Sequence, residues 1–247
     1  MHPKPTNKEY EKHYVEVFKA IFEDFPQGEI IADQNQERPD VIVIRGHDKI
    51  GIEITRIHTE KLKREESEVE AAITEAQHIY EGLSLPHLHV SVIVGDGKTF
   101  NRQNRKKFAA AISNLVSKNI PAQDGPVELG NDWNNPEVFP FEINSIGIYR
   151  LSKLTRNHWS RPDGGVFRTD FIKELQEIIS GKNKLLPNYN RDCKAHWLLI
   201  VAENGSPSSF FDPSAATLNH LYKSLFNRVF FLDLFTRKYA ELRLEAA

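Results

Sequence analysis

The chain has 247 residues, of which 40% are hydrophobic and 27% charged, and its formal net charge is -2. This balance is that of an ordinary globular protein and argues against the indiscriminate nucleic-acid binding of strongly basic chains. Because Cys193 is the sole cysteine, no intramolecular disulfide can form, and the polar N-terminus and the lack of a long apolar run predict a soluble, cytoplasmic protein with no membrane partner.

The first predicted elements are a helix and a β-hairpin. Apolar residues at three- and four-residue steps predict an amphipathic helix over residues 7–25, capped by Thr6 or Asn7. Two β-branched runs, 41–44 and 50–55, flank a short polar loop that contains glycine, which is the pattern of a hairpin.

Further along the chain, helical and strand patterns alternate, which predicts an α/β fold with a central mixed sheet flanked by helices. The predicted helices cover 59–81, 103–119, 169–180 and 214–226, and the predicted strands cover 88–94, 143–151, 196–201, 229–234 and 239–244. Residues 121–140 are rich in Pro, Gly, Asn and Asp, which favours a long loop. We expect a single domain over 1–247, with its core in 1–120 and with 141–247 adding to the same sheet or packing beside it.

Two carboxylates lie in the otherwise apolar hairpin. Strand alternation places Glu53 and Thr55 on one face and Ile54 on the other, and Asp40 stands at the start of the neighbouring strand. If the strands pair, Asp40 and Glu53 converge, repel each other and lose solvation. Since a divalent cation relieves both penalties, and Mg²⁺ is typically held by one or two carboxylates, this pattern predicts a metal site.

The same stretch resembles the PD-(D/E)XK, or restriction-endonuclease-like, nuclease superfamily. Pro39-Asp40 matches the family's PD, and Glu53-Ile54-Thr55 stands where its (D/E)XK triplet belongs. The resemblance takes in the preceding helix, the hairpin, the next helix and the next strand, roughly residues 7–95. It implies a restriction-endonuclease-like core with C-terminal additions.

The resemblance also implies the site's chemistry. Mg²⁺ or Mn²⁺ would be held by Asp40, Glu53 and the backbone carbonyl of Ile54, and the metal would support hydrolysis of phosphodiesters in nucleic acid, with DNA as the expected partner. In many members a glutamate on the first helix completes the metal shell. Glu16 and Glu9 are the candidates, and spacing does not decide between them.

One position departs from the family pattern. Thr55 replaces the lysine that orients or activates the attacking water, and threonine supplies no positive charge. Some members use a residue on the helix after the triplet, where Gln77 would be the match. The candidates for a replacement cation are Arg56, Lys49, Lys61 and Lys63, of which Arg56 points to the opposite strand face.

Two basic groups are candidates for contacting substrate. Lys98, Arg102 and Arg105 cluster at the start of a predicted helix, where they could track phosphates or simply be solvated. The loop with Arg156, Trp159 and Arg161 interleaves basic and aromatic side chains, which suits stacking on unpaired bases, although Trp159 could equally anchor the loop on the fold.

Two functional hypotheses follow. The first is a divalent-metal-dependent nuclease that hydrolyses phosphodiester bonds. The second is a catalytically silent nuclease-like protein that binds nucleic acid or a protein partner, which the missing motif lysine motivates. A homodimer and a partner protein both stay open.

Overall fold

The computed structural model describes residues 6–32, 39–95, 102–130, 139–140, 142–162, 164–189 and 192–245. It confirms the predicted α/β class, with a six-stranded and a four-stranded sheet flanked by helices. The chain forms two compact units, the first comprising Met1–His58 and Gly165–Ala247 and the second Thr59–Gly164. No helix in the described ranges combines the length and the apolar character needed to cross a membrane.

The secondary structure alternates along the chain. The helices are α1 (Asn7–Ile21), α2 (Glu60–Glu81), α3 (Arg102–Lys118), α4 (Ile172–Asn183) and α5 (Ala215–Asn219), with 3-10 turns at Leu186–Asn188 and Pro207–Ser209. The strands are β1 (Glu29–Ile31), β2 (Val41–Arg45), β3 (Asp48–Arg56), β4 (Leu88–Val94), β5 (Gly125–Gly130), β6 (Ile143–Arg150), β7 (His158–Ser160), β8 (Ala195–Ala202), β9 (Arg228–Asp233) and β10 (Lys238–Glu241).

The first unit is built on the six-stranded sheet, in the order β1-β2-β3-β8-β9-β10. Strands β1 to β3 form an antiparallel meander, β3, β8 and β9 run parallel, and β10 returns antiparallel. Apolar side chains of α1, such as Phe18, pack on one face with Ile52 and Ile54. Those of α4, such as Leu175, pack on the other face with Leu198. Helices therefore cover both faces of the parallel strands, as such strands require.

The second unit has its own core. Its four-stranded sheet has the order β5-β6-β4-β7, and α2 and α3 bury one face of it. Alternate residues of β4, including Leu88, Val90 and Val92, are fully buried in that core. The opposite face of the strands carries the intervening residues, because strand side chains alternate.

This division differs from the expected single domain with its core in 1–120. The strand that pairs with β3 along its parallel edge is β8, and α2, β4 and α3 belong to the second unit. Parallel strands need a long crossover, so no turn signal in the sequence marks their pairing. The predicted loop at 121–140 contains β5 (Gly125–Gly130), while residues 131–138 lie outside the described ranges.

Candidate active site

The two predicted carboxylates lie opposite each other. Val41 pairs with Ile52 in the antiparallel register of β2 and β3, so the preceding Asp40 faces Glu53. The backbone N–H of Ile54 donates to Asp40 Oδ2, with an N···O distance of 2.8 Å. This hydrogen bond fixes the Asp40 carboxylate against the strand that carries Glu53, which is the convergence that strand alternation predicts.

The motif proline has a packing role beside these carboxylates. A Cβ on Gly51 would meet Pro39 Cγ at 2.6 Å and His196 Cδ2 at 3.1 Å. Pro39 therefore occupies the space above Gly51, and a side chain at that position would displace it. Because Pro39 immediately precedes Asp40, this close contact positions the first carboxylate.

The Glu53 carboxylate is almost completely buried, with 3% of the residue exposed. Burial raises the pKa of Glu53, the charge of Asp40 raises it further, and contacts with Lys182 and Tyr189 oppose the shift. Glu53 Oε2 is buried with no hydrogen bond of normal geometry to any residue in the described ranges. Burial of an ionised carboxylate oxygen costs free energy unless it is paired, and coordination of a cation would remove that cost.

Lys182 supplies a positive charge at this site that the sequence interpretation missed. Its Nζ donates to Glu53 Oε1 at 2.6 Å and lies 3.5 Å from the carbonyl oxygen of Ile54. Lys182 is in the last turn of α4, on the same face as the buried Leu175 and Ile179, which stand seven and three residues before it. The sequence feature that could have identified Lys182 is its position on the apolar stripe of a predicted helix, where a lysine is unexpected.

Three of the four cations proposed to replace the motif lysine form ion pairs with other carboxylates. Lys49 Nζ lies 3.7 Å from Asp192, Lys61 Nζ lies 3.9 Å from Glu65, and Arg56 lies 3.8 Å from Glu203. Lys61 and Lys63 stand on α2 in the second unit. The helix that follows β3 in the chain thus belongs to the other unit, and the helix that carries Lys182 belongs to β3's own unit.

On the first helix, the glutamate that the described contacts link to Asp40, through Lys8, is Glu11, whereas the sequence named Glu16 and Glu9. Glu11 Oε2 is buried and lies 2.9 Å from Lys8 Nζ, which in turn lies 3.6 Å from Asp40 Oδ1 and donates to the Asp40 carbonyl at 3.2 Å. Glu11 continues the apolar stripe of α1, three residues before Tyr14. Lys8 thus joins the carboxylates of Glu11 and Asp40.

The two glutamates named from the sequence have local roles. Glu9 belongs to the capping box of α1, accepting from the backbone N–H of Thr6 at 2.6 Å, and this hydrogen bond lowers the pKa of Glu9. Glu16 is exposed and lies 3.9 Å from Lys12 one turn earlier. Both point away from the stripe that faces the sheet.

A pocket of about 280 Å³ lies between α1 and the end of β3. Thr55, which takes the place of the motif lysine, is partly buried and lines this pocket beside Ile54. The other lining residues are Asn7, Tyr10, Glu11, Tyr14, Arg56 and His58. Hydroxyl, amide and guanidinium groups thus surround a space that adjoins the motif strand, as a polar substrate requires.

Two residues that line this pocket, Tyr14 and Arg56, belong to a short polar network. The Tyr14 hydroxyl donates to Glu203 Oε1, and Arg56 lies 3.8 Å from the same oxygen. Burial, followed by the hydrogen bond and the charge of Glu203, raises the pKa of Tyr14, so this hydroxyl stays protonated and keeps donating.

The remaining predicted residues lie in the second unit, where several have structural contacts. Gln77 donates to Glu81 at 2.7 Å and accepts from the backbone N–H of Trp159. Trp159 is buried and lies against Tyr80, with ring centroids 5.2 Å apart, so it anchors the strand rather than presenting a stacking surface. Of the two interpretations left open for this tryptophan, the packing one is correct.

Among the basic residues that were expected to contact substrate, two form ion pairs within this unit and one is exposed. Arg105 pairs with Glu75 on α2 at 3.0 Å, and Arg161 lies 3.8 Å from Glu66. Arg156 is exposed in the loop before β7. Lys98 and the side chain of Arg102 lie outside the described residues.

The residues of the first unit could supply some of the ligands of a divalent cation, with water and substrate phosphate supplying the others. No group of three or more His, Cys, Asp or Glu in the described ranges is arranged to hold a metal ion. Asp40, Glu53 and the Ile54 carbonyl nevertheless offer oxygen ligands, and one buried oxygen of Glu53 lies outside the hydrogen bond with Lys182. That donor set suits Mg²⁺, which keeps several waters and is completed by substrate phosphate.

No protein-family model matches the chain, and no solved structure matches it significantly.

Proposed function

We propose that the first unit is a divalent-metal-dependent nuclease of the PD-(D/E)XK type, in which Lys182 takes the place of the motif lysine. The observation that carries this proposal is the contact of Lys182 Nζ with Glu53 Oε1 at 2.6 Å, beside the carbonyl of Ile54. Thr55 removes the expected charge from β3, and α4 returns a charge to the same carboxylate from another element. The order of helix, antiparallel meander and parallel strand also supports this assignment.

Each residue then has a separate task. Asp40, Glu53 and the Ile54 carbonyl would hold Mg²⁺ or Mn²⁺, which when bound lowers the pKa of a coordinated water and offsets charge on a phosphate. The Lys182 ammonium, which donates to Glu53, would supply positive charge at the site in which water is activated. Thr55 can hydrogen-bond that water through its hydroxyl. The adjoining pocket gives the substrate backbone access to Arg56.

The second candidate, a catalytically silent nucleic-acid or protein-binding derivative, has one observation in its favour. Lys182 contacts Glu53, and Lys8 contacts Asp40, so each carboxylate already has a cationic partner without a metal. Such pairing neutralises a buried carboxylate and lets the fold tolerate it. We favour the nuclease because Lys182 contacts one oxygen of Glu53 and leaves the other, buried oxygen without a cationic partner in the described ranges.

The test is metal binding followed by cleavage. Calorimetry with Mn²⁺ and Mg²⁺ would compare the wild type with Asp40→Asn and Glu53→Gln, using Glu16→Gln as the matched surface control. We expect binding that is lost in the first two variants and kept in the third. Single- and double-stranded DNA and RNA would then be assayed for Mn²⁺-dependent cleavage. A wild type that neither binds metal in the presence of oligonucleotide nor cuts any substrate would sink the nuclease and favour the silent derivative.

A further inference from the structure

The second unit has one sheet face that its helices do not use. Helices α2 and α3 pack on the face formed by residues such as Val90 and Ile148. Strand alternation turns the intervening side chains to the opposite face. Those side chains are His89, Ser91 and Ile93 on β4, Ser145, Gly147 and Tyr149 on β6, His158 and Ser160 on β7, and Pro126, Glu128 and Gly130 on β5. We call this surface the open face.

A row of rings crosses the open face. In the strand register His158 lies beside His89, His89 beside Tyr149, and Tyr149 beside Pro126, so all four strands contribute a cyclic side chain. The two histidine rings stack with centroids 5.1 Å apart and an interplanar angle of 27°. The Tyr149 ring follows, 5.6 Å from His89. The faces of the two histidine rings are turned toward each other and the Tyr149 ring is tilted by 58° to His89, so the three rings form a contiguous aromatic row.

The next row keeps this surface accessible because its residues are small. Ser160, Ser91 and Gly147 lie side by side in register. A Cβ on Gly147 would meet Tyr149 Cε2 at 3.0 Å and the Tyr149 hydroxyl at 3.1 Å, so the phenol end lies over the glycine. The same hydroxyl reaches Glu128 Oε1 at 3.4 Å. Tyr149 therefore lies along the sheet with one ring face directed outward.

Positive charge lies in the loop that leads into the row. The loop between β6 and β7 leads directly into His158 and carries exposed Lys153 and Arg156. The nearby carboxylate of Asp124 accepts the backbone N–H of Ser152 at 3.0 Å, which ties it to the base of that loop. Cations beside a ring surface match a ligand that has both π faces and phosphates.

We propose that the open face binds a single-stranded segment of nucleic acid, with bases packed along the aromatic row of His158, His89 and Tyr149 and the backbone beside Lys153 and Arg156. This inference rests on the proposed function and narrows its substrate to strands with unpaired bases. A duplex keeps its base faces stacked within the helix and cannot offer them to these rings. A protein partner would find little to bury, because Ile93 is the aliphatic side chain among the outward positions that the structure describes.

The experiment is a binding titration with the full chain in EDTA, so that no cleavage occurs. The probes are a fluorescein-labelled oligothymidylate of about 12 nucleotides and its duplex with oligodeoxyadenylate, followed by anisotropy. We expect tighter binding to the single strand. Tyr149→Ala should weaken it by roughly 5- to 150-fold, the range that base stacking on one aromatic residue supports. Arg156→Ala should weaken binding and reduce its salt dependence.

Matched controls come from the same unit. His78→Ala removes an exposed histidine from α2, and Lys118→Ala removes an exposed cation from α3, and both should bind like the wild type. If Tyr149→Ala does not fold, His158→Ala at an exposed position decides. Equal affinity for both probes, or wild-type binding by the folded ring variants, would overturn the inference. Asp40→Asn should retain single-strand binding in EDTA. Failure of the proposed nuclease activity and failure of the proposed binding surface can therefore be told apart.

Discussion

The ammonium of Lys182 lies 2.6 Å from the carboxylate of Glu53, although 129 residues separate them in the chain. Glu53 comes from the centre of the sheet and Lys182 from the last turn of α4, which packs on that face of the sheet. The pair brings a positive charge from α4 to a buried carboxylate of β3, so two elements that are distant in the sequence supply the two charges.

Lys182→Met should separate catalysis from metal binding. Loss of the ammonium leaves Glu53 available to a cation, so Mn²⁺ affinity should hold or rise, while kcat should fall by about 10²- to 10³-fold. Because Lys182 is partly exposed, the loss in the free energy of unfolding at neutral pH should be smaller than for a fully buried pair, about 1–3 kcal/mol. Lys184→Met, two residues later and exposed, is the control for α4. An unchanged kcat in Lys182→Met would contradict the assigned role.

The raised pKa of Glu53 predicts two pH dependences of opposite sign. Metal binding needs the ionised carboxylate, so Mn²⁺ affinity should fall as pH drops through the raised pKa, above the ordinary value of 4.5. In the metal-free protein the same group favours folding below 4.5 and loses that contribution as pH rises through its folded pKa. Calorimetry and urea unfolding between about pH 5 and about pH 8 measure both.

Glu53→Gln tests the second of these dependences. The amide resembles the protonated acid, so the metal-free variant should be at least as stable as the wild type at neutral pH, and the difference should vanish in acid. A variant that is less stable than the wild type at every pH would show that the Lys182 contact outweighs the burial of Glu53.

Sequence reasoning located Asp40 and Glu53 because their approach depends on one local hairpin. Period-two alternation and antiparallel pairing are short-range rules, and both hold between β2 and β3. Lys182 depends on the parallel pairing of β3 with β8, a long-range contact that leaves no spacing to recognise. The lysine still had a signature, since it stands in register with Leu175 and Ile179 on an apolar stripe.

The sequence also could not predict which side of β7 faces the core. Trp159 and His158 are adjacent in a three-residue strand, too short for alternation to show which side is buried. The register with β4 turns Trp159 to the core and His158 to the open face. Trp159, the ring expected to stack on bases, is therefore part of the core, and the exposed ring of the pair is His158.

Gly51→Ala should disturb the site through Pro39. The new Cβ would lie 2.6 Å from Pro39 Cγ, so either Pro39 or the hairpin must move. Overpacking of this kind lowers the free energy of unfolding by about 1–3 kcal/mol. Because Asp40 follows Pro39, Mn²⁺ affinity should fall as well. Gly181→Ala, in an open part of α4, is the control and should stabilise by about 0.5–1 kcal/mol. Equal behaviour of the two variants in calorimetry and urea unfolding would show that the Pro39 contact is dispensable.

Glu11 and Lys8 should change metal affinity in opposite directions. Lys8 lies between the carboxylates of Glu11 and Asp40, so Glu11→Gln leaves the ammonium to Asp40 alone and strengthens its competition with a metal. We expect Mn²⁺ affinity to fall by about 10- to 100-fold, the effect typical of a residue that supports a metal ligand. Lys8→Met removes the competing charge and should tighten binding. Glu16→Gln, on the exposed side of α1, should leave calorimetric titrations unchanged. Weaker binding in Glu16→Gln together with unchanged binding in Glu11→Gln would contradict the role of Glu11 and assign the helix glutamate of the site to Glu16.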